Sequence, residues 1–96
     1  MPQLLDAARL RDALSRLTGW TGDSRGITRT IRLTDGAHAA LLERLKVCAD
    51  ALGHRPHVER AGGVTRVRLV DPVMGAVSEI DVALAARIDG IVRRTA

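Results

Sequence analysis

The sequence predicts an α+β domain in the order α-β-β-α-β-β-α, a four-stranded antiparallel sheet with helices packed on one face. Three observations lead there. Apolar residues recur at three- and four-residue steps near the start, in the middle and near the end of the chain. Between these stretches lie two pairs of short strand-like runs, each pair joined by a glycine-bearing turn. Two hairpins linked by a helix favour a single antiparallel sheet covered on one side.

The first helix is expected over residues 4–17, where Ala7, Leu10, Leu14 and Leu17 share a face, and Thr18-Gly19 ends it. Trp20-Thr21 reads as a short strand, followed by a polar turn from Gly22 to Gly26. Residues 27–33 alternate: Ile27, Ile31 and Leu33 share a face with Arg29, while Thr28, Thr30 and Arg32 point the other way. Thr34 or Asp35 can cap the second helix, which buries Leu41, Leu45, Cys48 and Leu52 and stops at Gly53. A second hairpin follows, with strands at 58–60 and 64–70 around Ala61-Gly62-Gly63, and Val67 and Leu69 on one face. After a loop at 71–76, Ser78 and Asp81 have capping-box spacing, although Glu or Gln is the usual partner. The third helix turns Leu84, Ile88 and Ile91 inward.

Length and composition fit one domain spanning 1–96. The 46% hydrophobic and 27% charged content is that of a globular chain. Nothing approaches the ~18 consecutive apolar residues of a membrane span. The first ten residues lack the basic-then-apolar order of a secretory leader. Cys48 is the only cysteine, so no intrachain disulfide forms; it reads as a buried thiol, and the cytoplasm is the expected compartment. The net charge of +4 is no nucleic-acid signature. Fourteen of the fifteen basic residues are arginines scattered among eleven acids, and Trp20 is the only aromatic residue on which a base could stack. Direct nucleic-acid recognition is therefore not expected.

Residues 50–56 are the stretch that can carry chemistry. His54 follows the end of the second helix, where unpaired carbonyls collect negative charge and stabilise an imidazolium. Asp50, four residues earlier, can orient that imidazole if the helix extends far enough. Arg55 holds its charge permanently, so it pairs with anions rather than exchanging protons. Pro56 stiffens the turn. The plain alternative is a histidine that merely caps a helix beside a solvated aspartate. His54 and His57 lack a third ligand at metal spacing, and Gly62-Gly63 sits in a hairpin rather than ahead of a helix. Neither a metal nor a cofactor is expected.

Asp50-x-x-x-His54-Arg55-Pro56, a glycine-bearing loop, and then Val77-Ser78-Glu79-Ile80-Asp81-Val82-Ala83-Leu84-Ala85 resemble the pterin-4a-carbinolamine dehydratase family. That family reads acid-x-x-x-His-His-Pro, then a strand ending in Thr-His, then Gly-Leu-Thr/Ser-x-x-Asp-Ile-x-Leu-Ala. Gly19-Trp20 matches a Gly/Trp position ahead of the family's first hairpin. The resemblance covers nearly the whole chain and implies the same fold.

It also implies a reaction, the loss of water from a 4a-hydroxy tetrahydropterin, in which histidines deliver one proton and take another. The first histidine survives as His54, the catalytic residue the resemblance assigns. Asp50, Pro56 and Asp81 carry over as well. The second histidine is replaced by Arg55, the Thr-His falls on Asp71-Pro72, and an aromatic position falls on Gly62. The expected substrate-binding residues are Asp50, Arg55, Pro56 and Asp71. The expectation is weak or absent dehydratase activity with a repurposed pocket for a small molecule, a pterin or an anionic compound. Two alternatives stand beside it: a non-catalytic interaction or assembly module, and a working dehydratase that uses His54 with substitute groups. The family also implies a homodimer or homotetramer.

Overall fold

The computed structural model describes residues 4–17 and 19–95, so Thr18 of the expected helix stop lies outside the described residues. The elements are α1 (Ala7–Arg16), β1 (Thr21–Asp23), β2 (Gly26–Arg32), α2 (Asp35–Leu52), β3 (His57–Ala61), β4 (Val64–Leu69) and α3 (Glu79–Thr95). The strands form one antiparallel sheet in the order β1-β2-β4-β3, with β2 and β4 in the centre. The predicted class and element order hold.

Local chemistry sets the boundaries. α1 begins three residues later than expected because the Asp6 side chain accepts from the Arg9 N–H and caps the helix there. Ahead of that cap the chain is tied to the start of α3, through a bridge from Leu4 to Ser78 and a bond from Leu5 N–H to the Val77 carbonyl. Thr34 rather than Asp35 caps α2, accepting from the Ala37 N–H. Gly62 and Gly63 both have positive φ, 57° and 78°, the geometry a two-residue turn between right-twisted strands requires.

The core lies between the sheet and the helices. Ile27 pairs with Leu69, Arg29 with Val67 and Ile31 with Thr65, so these side chains share the helix-covered face. Leu10, Leu41, Leu45, Leu84, Ile88 and Ile91 pack against them from the helices. The opposite face carries Thr30, Arg32, Arg66 and Arg68, all exposed. Cys48 is only half-buried, because the inward stripe of α2 runs Leu41, Leu45, Ala49 and leaves the thiol at its margin. Trp20 is 4% exposed and precedes β1 instead of belonging to it.

Candidate functional site

The helix stop at Gly53 decides where His54 points. Gly53 has φ 72°, and both its own N–H and that of His54 close onto the Ala49 carbonyl. The chain turns away from the helix axis there. His54 therefore leaves the face of α2 that carries Asp50, and the expected pairing of these two does not form. Asp50 is exposed.

His54 instead bridges the end of β4 and the start of α3. Its Nδ1 lies 3.2 Å from Asp81 Oδ1, and its Nε2 lies 3.4 Å from Asp71 Oδ2. All three side chains are sequestered, with exposures of 11% for His54, 5% for Asp71 and 1% for Asp81. The Nδ1 contact with Asp81 is a hydrogen bond, whereas the Nε2 contact with Asp71 is at ion-pair distance only. Each carboxylate also works on its own backbone. Asp81 Oδ2 accepts from the Ser78 N–H at 2.8 Å and the Ser78 hydroxyl at 3.1 Å, so the returning half of the expected capping box forms with Asp in place of Glu, while the Ser78 hydroxyl donates to the carboxylate. Asp71 Oδ1 accepts from the N–H groups of Val73 and Met74, which shapes the 71–76 loop.

The Asp71 carboxyl is held below its ordinary value of 3.8, first by the Met74 N–H and also by the Val73 N–H and His54, against an opposing desolvation. A folded carboxyl that ionises more readily adds stability above the unfolded value and loses it as pH falls through the folded one. The melting temperature of the wild type should therefore exceed that of Asp71→Asn above pH 3.8. Below 3.8 that margin should shrink. A margin that grows in acid would show that the carboxylate is unfavourable in the fold.

Arg55, Pro56 and Asp50 line a different surface. A groove of about 370 Å³ runs between α2 and β3, with Leu45, Ala49 and Val58 on its floor. Lys46, Asp50, Arg55 and Pro56 frame it, two cationic side chains against one carboxylate. The sequence-derived residues thus separate into two groups. His54 joins Asp71 and Asp81, and Asp50, Arg55 and Pro56 join the groove. Among the described residues no cluster of His, Cys, Asp and Glu could hold a metal ion, and no helix is long and apolar enough to cross a membrane.

The pattern of the pterin 4 alpha carbinolamine dehydratase family matches residues 3–91. The chain belongs to that family. A dehydratase-named relative from Paracoccus denitrificans is 38% identical over 88 residues, covering 88% of this chain and 82% of its own. One from Chloroflexus aurantiacus is 33% identical over 92 residues, covering 95% and 98%. The crystal structure of a transcriptional coactivator/pterin dehydratase from Brucella melitensis superposes with a TM-score of 0.85 at 24% identity, over 92% of this chain and 97% of that one, which supports the fold.

Proposed function

We propose that this family member dehydrates 4a-hydroxy tetrahydropterins slowly or not at all, and that its groove takes a small molecule bearing an anionic or carbonyl group. One observation carries the reading. The single histidine retained from the family motif has both ring nitrogens against carboxylates, at 3.2 and 3.4 Å, and does not line the groove. A proton carrier needs a nitrogen free to meet the substrate. His54 must first leave one ion pair, and Arg55 and Pro72 supply no titrating group in its place. Arg55 offers a forked donor over an apolar floor, which suits a flat ligand with a carboxylate or carbonyl edge.

The test is turnover of 4a-hydroxy tetrahydropterin with spontaneous dehydration subtracted. A rate at least ~10²-fold below that of a relative with all three histidines is expected, the lower end of what a general acid or base contributes. His54→Ala should remove any residual rate. Turnover equal to the relative's would overturn the reading.

The contact between His54 Nε2 and Asp71 favours a second reading, because it is the longer of the two. A substrate that displaced Asp71 would find His54 positioned by Asp81, making the chain a working dehydratase with substitute groups. Asp71→Asn should then change turnover rather than leave it untouched.

The proposed setting is the cytoplasm, as a homodimer or larger homo-oligomer. α2 leaves Leu42 and Val47 exposed, and β3 is an edge strand with free backbone groups, surfaces a second copy would cover. Light scattering should give at least twice the 10.3 kDa chain mass, and a concentration-independent 10.3 kDa would contradict this.

A further inference from the structure

A third polar cluster lies apart from both His54 and the groove. Arg29 points from β2 into the helix-covered face of the sheet, between Ile27 and Ile31, and its side chain is 22% exposed. Its Nη1 donates to Asp89 Oδ1 on α3, and the same oxygen accepts from Trp20 Nε1 at 2.8 Å. One carboxylate oxygen thus takes two donors. The rest of the Arg29 fork has no partner among the described residues, and no side-chain donor there is both buried and unpaired. Arg29 and Asp89 line a cleft of about 210 Å³, walled by Arg16 from the last turn of α1 and Arg93 from the last turn of α3. Arg93 has no ion-pair partner among the described residues. Arg16 has only an exposed contact with Asp12 at 3.2 Å, the kind that is worth little and yields readily.

We propose that this cleft binds a phosphate-class dianion, free or as the end group of a larger molecule. Once Arg16 leaves Asp12, the three guanidinium groups and the Asp89 carboxylate of the lining carry two net positive charges, which a doubly charged phosphate neutralises. Guanidinium forks match phosphate oxygens with paired donors, and the fixed Arg29–Asp89–Trp20 arrangement presets one of the three. The volume is below the ~300 Å³ at which sites for whole drug-sized ligands begin, so only a small oxyanion or an end group fits. Asp89 lies eight residues beyond Asp81 on the same helix, about 12 Å along its axis. The cleft is therefore separate from the His54 cluster.

Titration of the full chain with inorganic phosphate, followed by calorimetry and by melting temperature, tests this at fixed ionic strength. Removing Arg29 would strand Asp89 in the core, so the informative variant is Arg16→Gln/Arg93→Gln, which alters exposed side chains only. Phosphate should bind and stabilise the wild type, and the double variant should bind at least about tenfold more weakly, as expected when charge-assisted hydrogen bonds are lost. Lys46→Gln/Arg55→Gln, which alters the groove alone, should keep the phosphate response. Equal binding by wild type and Arg16→Gln/Arg93→Gln overturns the proposal. So does a wild-type response that chloride reproduces, or one abolished by the groove variant.

Discussion

The variant Arg55→His/Asp71→Thr/Pro72→His is expected to dehydrate 4a-hydroxy tetrahydropterin about 10²–10⁴-fold faster than the wild type, the range one or more general acid–base groups contribute. The three changes act on two faults. Arg55→His and Pro72→His supply titrating imidazoles at positions where the family pattern carries them. Asp71→Thr removes the carboxylate that lies 3.4 Å from His54 Nε2 and opens that nitrogen to the substrate. The partial variant Arg55→His/Pro72→His keeps Asp71 and should fall between the wild type and the triple variant. Pro72 is exposed in the 71–76 loop, so its replacement costs the core nothing. Steady-state assays with the spontaneous rate subtracted decide the matter. A folded triple variant no faster than the wild type would show that missing histidines are not what limits turnover.

The second large effect concerns stability. Asp81→Ala should cost about 2–4 kcal/mol, because one buried side chain caps α3 and holds His54. For a domain of this size that corresponds to a melting temperature roughly 10–25 °C lower. Asp81→Asn keeps an oxygen for the Ser78 N–H while losing the charge facing His54, so it should lose clearly less. Equal losses in the two variants would place the whole contribution in the ion pair and none in the cap. Chemical denaturation with a two-state fit separates these outcomes.

Most of the fold was legible because its signals are local. The three-and-four spacing of Leu41 and Leu45, the alternation around Ile27 and Ile31, and the paired glycines at 62 and 63 each report on their own element. Ser78 and Asp81 were legible as a cap for the same reason. The site was less so. The i,i+4 spacing of Asp50 and His54 implies contact only inside a continuous helix, and the left-handed turn at Gly53 breaks that condition. The partners His54 does have come from 17 and 27 residues further along the chain, beyond the reach of any spacing rule. Arg29 gave a weak signal by sharing a strand face with Ile27 and Ile31. Its partner Asp89, 60 residues away, gave none.

The separation of the groove from the His54 cluster underlies both the proposed slow dehydration and the proposed ligand preference. Isothermal calorimetry with two reduced pterins, one neutral and one bearing a 6-carboxylate, tests it most directly. The carboxylate-bearing compound should bind the wild type more tightly, Arg55→Ala should abolish that preference, and Asp71→Asn should leave it unchanged. Tighter binding of the neutral pterin, lost in His54→Ala and unaffected by Arg55→Ala, would contradict the account.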